Sequence, residues 1–177
     1  MVYETGGSKG NGSGVALQSE RSLNYARHFT KGIGDRDVHE MFRWTKSDIE
    51  IADDDTNKIV FTQKGVEFPE GWEYLSRQIV TSKYLYGEQN TPEREKSAKD
   101  LIGRVSDTFK DWAIRQNYFD TAEEADKFRD EIAFLALSQR MAFNSPVWFN
   151  TGVHLRLNGK TRKIEQFQVK PISSLDP

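Results

Sequence analysis

One stretch of this sequence sets amide and hydroxyl side chains into an otherwise apolar run: Arg140-Met141-Ala142-Phe143-Asn144-Ser145-Pro146-Val147-Trp148-Phe149-Asn150-Thr151-Gly152. Asn144, Ser145 and Asn150 need hydrogen-bond partners if buried, and either a tertiary network or a ligand can supply them. Ser145 precedes Pro146, so its backbone is expected to be extended and its hydroxyl direction comparatively fixed. On the residues alone two readings stand. One is a helix-to-strand corner whose polar groups satisfy one another; the other is a binding site for a polar ligand.

Other constellations carry less. The sequence has no cysteine, which excludes disulfides, thiolate-bound zinc and any thiol chemistry by these residues. His28, His39 and His154 are far apart and lack metal-ligand spacing. Asp120, Glu123 and Glu124 could be posed as an acid–base pair, but capping and the helix dipole already explain carboxylates at a helix start. Asp53-Asp54-Asp55-Thr56-Asn57 lacks the glycine and terminal glutamate of a calcium loop and reads as a solvated turn. No Walker loop or Gly-x-Ser-x-Gly elbow occurs.

The elements that must hold the central run follow from apolar spacing. Residues 1–19 are read as a disordered Gly/Ser-rich arm, since five glycines fall within the first 14 positions and such a segment buries little on ordering. Ile49, Ile51, Ile59 and Phe61 alternate about the Asp-rich turn, which predicts a β-hairpin near 48–62. Phe68-Pro69 is expected to open a helix carrying Trp72, Leu75, Ile79 and Val80 inward and ending near Gly87. Thr91-Pro92-Glu93 is expected to open a second, with Ala98, Leu101, Ile102, Val105, Phe109 and Trp112 on one side and Lys96, Asp100 and Arg104 as an external ladder. Asp120-Thr121-Ala122-Glu123 resembles a capping box opening a third, which should run to about Asn144. The tail beyond 150 carries Arg156, Lys160, Arg162, Lys163 and Lys170 against Glu165 and Asp176, with a hairpin signal at Asn158-Gly159. The fold class is therefore mainly α with small β-hairpins. Residues 20–143 are taken as an N-terminal helical domain and residues 144–177 as a separate region with a basic tail.

Composition bounds the function. With 177 residues, 36% hydrophobic and 29% charged, the chain can build a core of its own. A net charge of −2 argues against whole-domain nucleic-acid binding, and the basic tail has no stacking aromatic apart from Phe167. No apolar run approaches the ~20 residues of a membrane span, and the first residues lack a secretory pattern. A cytoplasmic protein is expected.

The run Phe143-Asn144-Ser145-Pro146-Val147-Trp148-Phe149-Asn150, followed by Gly152, resembles the signature at the entry of the catalytic barrel in class II, adenosylcobalamin-dependent ribonucleotide reductases. The resemblance extends through Arg27-His28-Phe29-Thr30-Lys31, Val60 to Pro69 with Trp72, Ile79-Val80-Thr81-Ser82-Lys83-Tyr84 and Tyr118-Phe119-Asp120, so it covers about residues 20–153.

It implies an N-terminal helical region leading into the first element of an α/β barrel, left incomplete here. It also implies a part in reducing ribonucleotides to deoxyribonucleotides for DNA synthesis. Ser145 is then a contact to the substrate phosphate, through its hydroxyl and nearby backbone N–H groups, with Asn144 supporting the turn. The implied cofactor is adenosylcobalamin, bound mainly by other parts of the enzyme. The implied partners are the ribonucleotide, the rest of the reductase or a split-enzyme partner chain, and a homodimer of the full enzyme. The family's radical chemistry runs on cysteines, so these 177 residues alone are expected to be inactive. The alternative is a non-catalytic helical interaction module of the same descent. Phe143, Val147, Trp148 and Phe149 discriminate: a part awaiting its barrel should expose them as an apolar patch.

Overall fold

The hairpin is longer than its apolar alternation suggests. In a computed structural model that describes residues 25–153, strands β1 (Trp44–Ala52) and β2 (Ile59–Pro69) form a two-stranded antiparallel sheet. Register steps from Ser47↔Val66 to Ile49↔Gln63, leaving one extra residue on β2. Gly65 takes that bulge with φ +66°, and Asp48 Oδ1 accepts its N–H at 2.8 Å. A bulge shifts the side-chain phase by one position. That shift is why Phe61 and Gln63 face inward before it, whereas Val66 and Phe68 do so after it. At the turn, Asp53 Oδ1 accepts from the Thr56 N–H and hydroxyl at 2.9 and 2.8 Å, and Asn57 adopts φ +54°. The Asp run is a turn, as its composition indicates.

Phe68-Pro69 closes β2 instead of opening a helix. Phe68 is fully buried against Trp72, ring centroids 5.5 Å apart, and proline is tolerated at a strand end. Helix α1 (Tyr74–Ile79) starts after the intervening turn and runs into a π-helical turn over Val80–Tyr84. Leu75 and Ile79, expected inside, are 66% and 43% exposed; Trp72 supplies the burial in their place. The chain does turn at Gly87, with φ +95°.

Helix α2 (Ala98–Arg115) begins at Ser97, whose hydroxyl accepts from Asp100 N–H, not at Thr91-Pro92-Glu93. The backbone ahead of it is already committed. Glu95 N–H donates to Tyr86 O at 2.8 Å, and Lys96 O accepts from Glu67 N–H at 3.0 Å. Helix α3 (Ala122–Leu137) opens with a capping box between Thr121 and Glu124, one residue later than the spacing suggests. It stops well short of Asn144. Trp72 Nε1 takes Leu137 O at 2.7 Å, and Gln139 turns to φ +55°. Arg129 of α3 reaches Asp107 at 2.9 Å while Lys110 meets Asp126. This descending order makes α2 and α3 antiparallel.

Segment 25–30 is clamped to α3 by one carboxylate. Glu131 accepts the backbone N–H groups of His28, Phe29 and Thr30 at 3.0, 2.8 and 2.8 Å, and the Thr30 hydroxyl at 2.6 Å. Alongside, Arg27 pairs with Asp130 at 2.7 Å. Burial pushes the Glu131 pKa up, but the Thr30 hydroxyl and the three backbone donors outweigh it and hold the group below the ordinary glutamate value of 4.5. The unfolded chain thus binds more protons in that window. The resulting stability is complete above pH 4.5 and is lost as pH falls through the lower folded value. Denaturation midpoints recorded from pH 7 down to pH 3 should show this loss, and Glu131→Gln should flatten it.

A fourth helix, α4 (Ser145–Asn150), occupies the run singled out in the sequence. Ser145 is therefore helical, not extended. Proline in a first turn removes no helical hydrogen bond, so the pre-proline bias toward extended backbone is overridden. The apolar patch expected there is largely closed: Trp148 joins the core and Phe143 and Val147 pack against it, leaving Phe149 at 49% exposure. Residues 1–19 and the Asn158-Gly159 hairpin lie outside the described residues.

Candidate functional site

α4 presents its polar residues differently from one another. Ser145 is half-buried, and its hydroxyl lies 3.1 Å from the Tyr84 hydroxyl. Asn144 is exposed at the helix N-cap and makes no side-chain cap bond. Asn150 is exposed too, its Nδ2 donating to Pro146 O at 2.8 Å. Of the three polar groups in the run, then, only the serine is turned into a tertiary contact. The Tyr84 ring lies 5.4 Å from that of Phe149 and 6.3 Å from that of Trp148, which fixes the phenol over the first turn of α4.

The far end of α4 is gripped by Arg104, which is 5% exposed and not part of an external ladder. Its Nη1 donates to Thr151 O at 2.6 Å and to Trp148 O at 3.1 Å. Nη2 reaches Tyr84 O at 3.4 Å. Nε meets Glu95 Oε1 at 2.9 Å, and Glu95 Oε2 also accepts Tyr86 N–H at 2.8 Å. Arginine suits this place because its planar fork serves several acceptors at fixed angles. One guanidinium thus ties three things together: the C-terminal carbonyls of α4, the backbone of Tyr84, and the loop ahead of α2. The sequence does hold a signal for this. Arg104 lies between Leu101, Val105 and Thr108 on the helical wheel, all of them buried.

The chain leaves α4 through Gly152, at φ +73°. A Cβ there would sit 2.4 Å from Thr108 Oγ1 and 2.7 Å from Arg104 O, so α4 docks on α2 through a contact only glycine permits. The other sequence candidates stay apart from this site. His39 is bound to Asp37 through Nδ1, and Glu123 pairs with Lys127. Among the described residues no group of three His, Cys, Asp or Glu could hold a metal ion.

The family model described as class II vitamin B12-dependent ribonucleotide reductase matches residues 45–139. The chain belongs to that family. A vitamin B12-dependent ribonucleotide reductase from Rhodopirellula baltica is 40% identical over 143 residues, covering 80% of this chain and 14% of the relative. The Streptomyces coelicolor reductase is 38% identical over 145 residues, again 14% of its own length. That of Agrobacterium fabrum is 37% identical over 86 residues, or 46% of this chain and 6% of the relative. The chain thus spans about one-seventh of the length of the first two reductases. The model match covers both strands through α3.

Proposed function

We propose that this chain forms the N-terminal part of a vitamin B12-dependent ribonucleotide reductase and that Ser145 contacts the phosphate of the ribonucleotide. Residues 20–143 serve as the helical platform, and the chain from Asn144 onward enters the catalytic α/β barrel. The observation that carries this reading is the family match over 45–139, joined to α4 by the Arg104 grip. Replacing a ribose 2′-hydroxyl by hydrogen takes two electrons, which two thiols can supply by closing a disulfide. With no cysteine in the sequence, the residues here bind and orient while thiols elsewhere in the reductase reduce.

Adenosylcobalamin supplies the initiating radical when bound. That cofactor is held mainly by other parts of the reductase, and the residues here act on the nucleotide. Among the described residues no helix is long and apolar enough to cross a membrane, which suits a cytoplasmic enzyme making precursors for DNA synthesis. The rest of the reductase is the partner of this part, and a homodimer is the assembly proposed for the whole.

The test is Ser145→Ala in the full-length reductase. A charge-assisted hydrogen bond to phosphate is worth about 1.5–3 kcal/mol. The KM for ribonucleotide should therefore rise about tenfold or more, while kcat stays within about twofold, the pattern of lost uniform binding. An unchanged KM would return the α4 surface to the second reading, a non-catalytic helical module. That reading draws on the near-closure of the apolar patch around Trp148.

A further inference from the structure

We infer that Tyr84 is a positioning residue for the phosphate contact: its hydroxyl donates to Ser145 Oγ and so leaves the serine proton for the substrate. This rests on the reading of Ser145 just given. A serine hydroxyl has one proton and two lone pairs. If Ser145 donates to the Tyr84 oxygen, that proton is spent and a phosphate oxygen meets a lone pair. If Tyr84 donates, the serine oxygen is satisfied and its proton must point elsewhere. Only the second arrangement recognises an anion. At 3.1 Å the geometry permits both directions, and a bound phosphate selects the second because it only accepts.

The fold is built to deliver this phenol. Tyr84 is the last residue of the π-helical turn Val80–Tyr84, closed by Leu85 N–H donating to Val80 O at 3.1 Å. A π turn inserts one residue relative to an α-helix and so re-aims the side chain that follows it, which is why such turns collect at functional sites. The turn is pinned from outside. Arg94 Nη2 donates to Thr81 O and Nη1 to Leu85 O, both at 2.6 Å. Arg104 then holds the Tyr84 carbonyl together with the carbonyls that end α4. Tyrosine and serine come from segments 61 residues apart, and one guanidinium references both.

The experiment is a double-mutant cycle in the full-length reductase, with ribonucleoside diphosphate and triphosphate tested separately. Tyr84→Phe keeps the ring that packs on Phe149 and removes only the hydroxyl. It should raise KM about fivefold, the scale of one hydrogen bond, with kcat and the thermal midpoint unchanged. In a Ser145→Ala background it should add nothing, and Ser145→Thr should restore most of the affinity. If Ser145→Ala raises KM but Tyr84→Phe does not, or if the two effects simply add, the role assigned to Tyr84 is wrong and the serine contact survives. If Ser145→Ala leaves KM unchanged, both fall. A lowered thermal midpoint with unchanged KM would make Tyr84 purely structural.

Discussion

Arg104→Met should lower folding stability by about 3–5 kcal/mol, the range for removing one partner of a buried ion pair. The loss has two sources. Glu95, whose side chain is fully buried, would lose the guanidinium that faces it. The carbonyls of Trp148 and Thr151 would lose their donor at the end of α4, and a buried acceptor left unpaired costs about 1–3 kcal/mol. A shift in the denaturant midpoint at constant slope is the measurement. Adding Glu95→Gln should recover part of the loss, because the buried carboxylate goes with it. The carbonyls would still lack a donor, so the recovery should be incomplete. A change below about 1 kcal/mol, the ordinary upper limit for an exposed pair, would mean that water reaches this guanidinium.

Gly152→Ala should cost about 2–4 kcal/mol, combining a left-handed backbone unsuited to alanine with overpacking in a full site. The new methyl would meet Arg104 O at 2.7 Å, a backbone atom that cannot swing aside, and Thr108 Oγ1 at 2.4 Å. The Thr108 hydroxyl is itself engaged, donating to Arg104 O at 2.7 Å. The relief available is for α4 to lift from α2, which would carry Ser145 away from Tyr84. Thermal melting should register the destabilisation. In the full-length reductase the same substitution should also raise KM for ribonucleotide. Adding Thr108→Ser would not rescue it, because the backbone clash remains.

How far the sequence could be read depended on the range of the interactions involved. The Asp-rich turn and the cap of α3 each rest on partners within four residues, and their positions came out within a residue. Elements that answer to distant partners did not. Phe68-Pro69 has the local chemistry of a helix start, yet pairing with Trp44 and Thr45 keeps it in a strand. Leu75 and Ile79 have helical spacing but face outward, since Trp72 reaches Leu137 O and fills the place they were expected to take. α4 sits where a proline argues for extended backbone, but a first-turn proline leaves no helical bond unmade.

The amino-acid sequence by itself determined the family, through the order and spacing of its motifs, and drew the eye to Ser145. The absence of cysteine likewise settles that these residues carry no thiol chemistry. Folding alone shows that the serine meets a phenol 61 residues away and that one arginine grips both the backbone of that tyrosine and the far end of α4. A one-dimensional pattern reports which side chains prefer burial. It does not report which buried acceptors will converge on one donor, because that convergence exists only after α2, α4 and the π turn have packed together.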